Sequence, residues 1–326
     1  MKAKRILKWV GGILGGLVGL AVAGAVVQFY VLNPEMRPAP NITAPRTPES
    51  LARGEYLANH VTLCIACHST PGKLGAGRSE FKWSEFPGTA RVPNITSDKA
   101  TGIGSWTDGE VFRSIREGVS HDGRPLFPMM PYPYLERAIN EEDTLAIVGY
   151  IRTLPPIENR PGKMEVPFPL SMIARTFPEP VKKEREPPAE PPATDKMGRG
   201  KWLLKAGLCA VCHDTFDEHR MPLPGMKFAG GMTVELPDGK GRIIAPNITS
   251  DKATGIGAYS DDDIRRVFEE GVGKAGPLAS RGMGLPYEMP WSYFKGMTSE
   301  DKEALIMALR EVPPVSHLVA PSVVRK

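Results

Sequence analysis

Apolar residues fall into one long run near the start of the chain and two matching sets of short helical stretches further on. The long run is Trp9 to Leu32, with Gln28 its only strongly polar member. At ~1.5 Å of rise per residue a helix over 9–32 reaches roughly 36 Å, enough to cross a ~30 Å hydrocarbon core with some tilt. The apolar region of a cleavable leader is normally ~7–15 residues, so an uncleaved anchor is expected. Ala21-Val22-Ala23 and Ala23-Gly24-Ala25 also read as cleavage sites, and that alternative stays open. Gly11, Gly15 and Gly19, spaced every fourth residue, either let this helix pair closely with another or reflect the frequency of glycine in such helices.

Beyond residue 48 the pattern predicts short, capped helices. Thr107 and Ser260, each followed three residues later by an acid (Glu110, Asp263), read as helix starts, with Gly118 and Gly271 as the stops. Acidic openings at Glu141-Glu142-Asp143 and Ser299-Glu300-Asp301 precede short apolar helices that end at Pro155-Pro156 and Pro313-Pro314, because proline cannot continue a helix. These signals come in pairs because the sequence is duplicated. Pro93 to Gly104 recurs letter for letter from Pro246 to Gly257, an offset of 153. The expected organisation is a flank at 1–8, a transmembrane anchor at 9–32 and a Pro-rich stalk at 33–48. One domain follows at 49–160, a charged Pro-rich linker at 161–195, and a second domain at 196–320. With 34 Gly and 33 Pro the chain is loop-rich, and the linker should be extended and semi-rigid.

Charge narrows the partners. There are 41 Lys and Arg against 37 Asp and Glu, but Lys2, Lys4, Arg5 and Lys8 account for the whole surplus. No clustered basic footprint remains on a folded domain, which argues against nucleic-acid binding. The basic flank instead orients the anchor, remaining cytoplasmic while the rest lies outside.

All four cysteines lie in two motifs of one kind, Cys64-Ile65-Ala66-Cys67-His68 and Cys209-Ala210-Val211-Cys212-His213. A Cys-x-x-Cys pair alone suits a redox, zinc or disulfide site. The His immediately after the second Cys makes it the attachment signature of c-type haem, two thioethers to the porphyrin and a tethered imidazole on the iron. No second ligand pair for zinc follows either motif at the usual spacing. Two covalently bound haem c groups are therefore expected, on Cys64, Cys67, Cys209 and Cys212, with His68 and His213 as iron ligands. Each domain has only a modest apolar core of its own, so the apo form should be unstable.

The other axial ligand must recur in both repeats. His60, His121, His219 and His317 do not. Met130-Pro131-Tyr132 and Met289-Pro290-Trp291 do, each between the Gly-ended helix and the final helix. Met130 and Met289 are the expected ligands, with Met129 and Met283 as fallbacks; the competing reading is a methionine that fills a core gap. Asn94, Thr96 and Trp106, with Asn247, Thr249 and Tyr259, are expected to line the haem edges; alternatively that stretch is only a turn before a helix.

With Cys-x-x-Cys-His, Pro-Asn-Ile-Thr-Ser-Asp, Thr-Gly-Ile-Gly, Met-Pro-Tyr/Trp, Phe228-Ala229-Gly230-Gly231 and the closing Leu-Pro-Pro or Val-Pro-Pro, the chain resembles the membrane-bound cytochrome c subunits of bacterial quinoprotein and flavoprotein dehydrogenases for alcohol, gluconate and fructose. Those subunits typically carry three haem motifs, where this chain has two. The resemblance implies a mainly α fold with two tandem class I cytochrome c-like haem domains behind one N-terminal transmembrane helix. In that fold the first and last helices cross near a Gly and an aromatic. Here Gly54 with Tyr56 would meet Tyr150, and Gly200 with Trp202 would meet Ala308. The expected function is single-electron relay on the periplasmic side of a bacterial inner membrane, between a dehydrogenase or quinol-linked respiratory complex and an acceptor. The rival is a di-haem redox enzyme of the peroxidase or thiosulfate-dehydrogenase type, which needs an open or unusual iron position with acid–base groups beside it.

Overall fold

A computed structural model describes residues 2–81, 86–218, 221–236, 239–274, 276–278 and 288–324. Helix α1 (Lys2–Val26) runs on through a π-helical turn, Val27–Val31. From Lys4 to Val31 it forms one exposed helix of 28 residues, long and apolar enough to cross a membrane. Arg175 closes its end: Nε donates to the Phe29 carbonyl (2.5 Å), Nη2 to the Asn33 carbonyl (2.9 Å), and the guanidinium lies 5.3 Å over the Tyr30 ring. Carbonyls in the last turn of a helix lack intrahelical donors, and a cation is the natural partner for them.

The first repeat contains α2 (Pro48–Tyr56), α3 (Cys64–His68), α4 (Asp108–Glu117), α5 (Tyr132–Leu135) and α6 (Glu141–Ile151). After α7 (Leu170–Ile173) in the linker, the second repeat presents the same series as α8 (Lys196–Ala206), α9 (Cys209–His213), α10 (Asp261–Glu270), α11 (Trp291–Phe294) and α12 (Ser299–Arg310). The strands are minor. β1 (Arg78–Phe81) pairs with β2 (Ala90–Val92), β3 (Thr233–Glu235) with β4 (Gly241–Ile244), and β5 (Val272–Gly273) with β6 (Gly276–Pro277); β7 (Val323–Val324) adds to β4. All these pairings are antiparallel. The molecule is helix-rich, as the capping pattern requires.

The caps are those expected. Thr107 with Glu110 and Ser260 with Asp263 form complete capping boxes, and Gly118 (φ 71°) and Gly271 (φ 67°) end the two helices in the left-handed region. Each stop glycine also lies beneath a ring: a Cβ on Gly118 would strike Tyr132, and one on Gly271 would strike Trp291. The aromatic of each Met-Pro-aromatic motif is thus seated on the end of the preceding helix, which fixes where the methionine turn sits.

In each repeat the first helix packs along the last, α2 on α6 and α8 on α12. Gly54 faces Ala146 and Tyr150 at the first crossing, and Gly200 faces Ala304 and Ala308 at the second. The two repeats do not keep separate cores. One continuous cluster joins Leu57, Val61, Ile147 and Val148 of the first repeat to Trp202, Leu203, Leu305 and Leu309 of the second.

The linker, expected to be extended and semi-rigid, is docked along the repeats. Glu165 exchanges backbone hydrogen bonds with Thr89 (3.0 Å each way). Glu186 accepts from Arg116, a side chain with no solvent exposure (Nη2–Oε2 2.6 Å), and from the Glu141 N–H at the start of α6 (2.6 Å). Glu186 thus meets a buried cation that only the folded first repeat provides.

Candidate haem-attachment sites

Both Cys-x-x-Cys-His motifs form single-turn helices entered through a leucine in the left-handed region, Leu63 (φ 59°) and Leu208 (φ 58°). A branched side chain rarely adopts that conformation, so its occurrence at the same place twice marks a turn imposed by the surroundings. Before the first motif, a π turn (Leu57–Val61) ends in Thr62, whose hydroxyl donates to the Leu57 carbonyl (3.0 Å) and lies 3.3 Å from Cys64 Sγ. None of the four cysteines is in a disulfide. Burial pushes the thiols up, Cys67 and Cys212 to about 11 and Cys209 to about 12, which is opposite to the activated thiolate of a redox Cys-x-x-Cys pair.

The imidazoles are held alike. His68 Nδ1 lies 2.9 Å from the Pro93 carbonyl, and His213 Nδ1 lies 2.9 Å from the Pro246 carbonyl. A carbonyl can only accept, so Nδ1 carries the proton and Nε2 keeps its lone pair. Burial holds both imidazoles below the usual histidine range, in their neutral, ligating form. The backbone repeats the arrangement: Gly77 N–H donates to the His68 carbonyl and Gly230 N–H to the His213 carbonyl, each at 2.7 Å. Gly77 and Gly230 share φ 78°, and a Cβ on either would meet the backbone at Pro93–Asn94 or Pro246–Asn247. This pair escaped the sequence reading, although Ala76-Gly77 and Ala229-Gly230 share the 153 offset. His68 and His213 are 145 residues apart, so the second repeat gains eight residues between its haem motif and this glycine.

The duplicated stretch holds those prolines in place. Asn94 is 2% exposed; its Nδ2 donates to Thr101 Oγ1 (3.0 Å) and the Ile157 carbonyl (2.8 Å). Its Oδ1 accepts from Thr96 N–H (2.9 Å) and Thr96 Oγ1 (2.8 Å). Asn247 repeats this with Thr254, Val315 and Thr249. Both amides are therefore spent inside the fold, joining the stretch to the tail beyond the Pro-Pro stop, and neither has a donor left for a propionate. Asp98 and Asp251 close the loops by accepting from Thr101 and Thr254 (N–H 2.6 Å each). Arg152 donates to the Ile103 carbonyl (2.5 Å) and Arg310 to the Tyr259 carbonyl (2.6 Å), anchoring the loops to the last helices. Asn94→Ala is expected to cost about 3 kcal/mol, because it strands buried groups at Thr96 and Ile157. Chemical denaturation measures it; a loss below ~1 kcal/mol would mean that water replaces the amide.

Among the remaining predicted residues, the Trp106 ring lies 4.5 Å from the His121 ring, and Tyr259 lies 5.5 Å beneath Lys274 Nζ. His60 Nδ1 approaches the Tyr293 carbonyl (2.8 Å), and His317 Nδ1 the Ala229 carbonyl (2.9 Å). His219 and Met283 lie outside the described residues. Met130, with Cys64, packs against the large shared core, as do Met289 and Cys209. Met129 instead joins Cys67 at a smaller cluster of Phe86, Ala90 and Val92. The donor set of paired thiols and an imidazole whose Nδ1 is committed to a carbonyl fits haem c in both repeats. Among the described residues, no three His, Cys, Asp or Glu converge as a metal cage.

No family model matches the chain. It is 32% identical over 275 residues (81% of this chain, 56% of the relative) to the cytochrome c subunit of a quinone-linked alcohol dehydrogenase from Gluconacetobacter polyoxogenes. It is 31% identical over 231 residues (67% of this chain, 50% of the relative) to the gluconate 2-dehydrogenase cytochrome c subunit of Pantoea cypripedii. A di-haem cytochrome c-type protein of Cereibacter sphaeroides is 26% identical over 322 residues, 93% of this chain and 98% of that protein. The chain spans about half the length of the two dehydrogenase subunits. With both haem motifs, both Met-Pro-aromatic turns and the duplicated stretch inside the folded repeats, the chain is similar to the cytochrome c subunits of alcohol and gluconate dehydrogenases and to a di-haem cytochrome c, which implies covalently bound haem c.

Proposed function

We propose that this chain is a membrane-tethered di-haem cytochrome c that relays single electrons, one haem c in each of two tandem class I cytochrome c-like domains (49–160 and 196–320). The observation that carries this reading is the double construction, in which each Cys-x-x-Cys-His turn has its imidazole Nδ1 bound to a proline carbonyl at 2.9 Å. Haem c supplies, when bound, a one-electron iron couple. Cys64, Cys67, Cys209 and Cys212 hold it by two thioethers per site. His68 and His213 present Nε2, with the ring plane fixed from behind by Pro93 and Pro246, and Met130 and Met289 present thioether sulfur. A relay needs little rearrangement between oxidation states, and the locked loops and neutral imidazoles provide that rigidity.

The apolar N-terminal helix with its basic flank anchors the chain in a bacterial inner membrane, with the haem domains on the periplasmic side. The names of its relatives, cytochrome c subunits of alcohol and gluconate dehydrogenases, support a dehydrogenase as donor, and in this reading a respiratory complex is the acceptor. The chain then acts as an electron-transfer subunit, and the catalysis belongs to the partner.

Absorption spectroscopy on the purified protein tests this. Two haems per chain are expected, with the methionine-to-ferric-iron charge-transfer band halved in Met130→Ala, halved in Met289→Ala, absent in the double variant and intact in Met129→Ala. An unchanged band in Met130→Ala with loss in Met129→Ala reassigns the first ligand. Rapid peroxide turnover by the unmodified protein would favour the di-haem enzyme instead.

A further inference from the structure

A symmetric cluster of charges lies where the two repeats meet, and the linker supplies its centre. Arg53 on α2 pairs with Asp143, in the first turn of α6 (Nε–Oδ1 2.8 Å, Nη2–Oδ2 3.0 Å). Arg199 on α8 pairs through Nε with Asp301, in the first turn of α12, whose side chain is fully buried. The two arginines are equivalent in the duplication, each directly before the glycine of its helix crossing, and so are the two aspartates. Glu190 of the linker spans them. Its Oε2 lies 2.6 Å from Arg53 Nη2 and its Oε1 lies 2.9 Å from Arg199 Nη2, the second an ion pair out of line for a hydrogen bond.

The aromatic residue two places after each glycine crosses to the other repeat. Tyr56 of the first donates its hydroxyl to Asp301 of the second, and Trp202 of the second lies 5.6 Å beneath the Arg53 guanidinium. The same junction holds the methionine turns. His60 of the first repeat meets the Tyr293 carbonyl just after Met289-Pro290, and α5, just after Met130-Pro131, packs on α8.

Two arginines face three carboxylates here, with the Tyr56 hydroxyl beside them. Burial pushes the Glu190 carboxyl up, while Arg53 and Arg199 act the other way and favour its charged form. Moving either repeat away leaves Glu190 half-compensated and an arginine short of an acceptor, the costly way to break a buried ion network. Glu186 contrasts with it, since both its partners, Arg116 and the Glu141 N–H, belong to the first repeat.

We propose that Glu190 is a positioning residue: it locks the two haem-bearing repeats into a single orientation, so that the two haems act as a rigid pair and not as separate beads on a flexible strap. This rests on the two-haem reading. Lys99 and Lys252, exposed at equivalent places in the duplicated stretch, are the label sites. Haem attachment consumes all four native cysteines, so the holoprotein with Lys99→Cys and Lys252→Cys takes up two nitroxides per chain by mass. Uptake of more than two sinks the two-haem reading on which the lock depends.

Pulsed EPR of the full chain should then give one narrow inter-label distance. Glu190→Gln, alike in size but without charge, should widen that distribution although the shared apolar core still holds the repeats in contact, while Glu186→Gln leaves it narrow. In the same Glu190→Gln protein, electron equilibration between the haems after photoreduction should slow while each haem keeps its spectrum. A narrow distance in Glu190→Gln, a broad one in the parent, or equal broadening by Glu186→Gln overturns the lock and leaves the carrier reading standing.

Discussion

Cys209→Ala with Cys212→Ala should leave one haem per chain and lower the melting temperature of both repeats, not only of the second. The apolar cluster under the second motif is continuous with that under the first. Leu208, Cys209 and Met289 of the second repeat and Cys64 and Met130 of the first all pack against it. Removing the tether of a buried apolar cofactor removes binding energy that acts as folding energy, as a structural metal does. It also loosens a core that includes Leu203 and Leu305 of the second repeat, each only 1% exposed, and Leu57 and Ile147 of the first. At ~2–4 °C per kcal/mol for a body of this size, a fall of more than about 10 °C is expected. Haem content comes from the alkaline pyridine spectrum, and stability from thermal melts followed at the remaining haem. A first repeat that melts at the parent temperature would show that the two repeats fold independently.

Gly54→Ala and Gly200→Ala carry the second large effect. In an exposed helix this exchange would stabilise by about 1 kcal/mol, since glycine is the poorer helix former. Here the added Cβ overlaps the Ala146 carbonyl at the first crossing and the Ala304 carbonyl at the second. Those atoms are backbone within α6 and α12, so they cannot swing aside as a side-chain tip would. The helices must separate or shift, and shifting a packed core costs ~1–3 kcal/mol or more. The steric term reverses the propensity term, and each variant should lose about 3 kcal/mol in denaturant unfolding. Neutral behaviour at either site would mean that the helices cross further apart than described.

Much of this architecture was legible along the chain because it depends on near neighbours. Thr107 reaches Glu110 and Ser260 reaches Asp263 within one helical turn, so the capping boxes could be read directly. Left-handed glycine acts through its own backbone angles, which places the ends of α4 and α10 without tertiary information. The haem motifs are five contiguous residues, and the 153-residue offset is a property of the text. The glycine crossings were readable by analogy, and the structure places Gly54 at Tyr150 and Gly200 at Ala308 as expected, while the aromatics Tyr56 and Trp202 meet Asp301 and Arg53 of the other repeat.

Other residues depended on partners far away. Asn94 looks from sequence like a donor near a cofactor, yet its acceptor Ile157 lies 63 residues on, beyond a helix and a Pro-Pro stop. Glu186 and Glu190 look like solvated linker charges until Arg116, Arg53 and Arg199 are folded into place beside them. Met129 and Met130 are adjacent and chemically equal, and only packing sends one towards Cys67 and the other towards the shared core.

The sequence alone determined the chemistry this chain can hold: two thiol pairs, two tethered imidazoles and two methionine turns, along with the duplicated series of helices. Covalent spacing and local backbone preference are properties of short segments and survive without a fold. Only the tertiary structure decided which imidazole nitrogen is free, that the two repeats share one core, and that the linker binds across both. Each of those turns on a carbonyl, a guanidinium or an apolar face brought from a distant part of the chain, and burial then makes leaving such a group unpaired expensive.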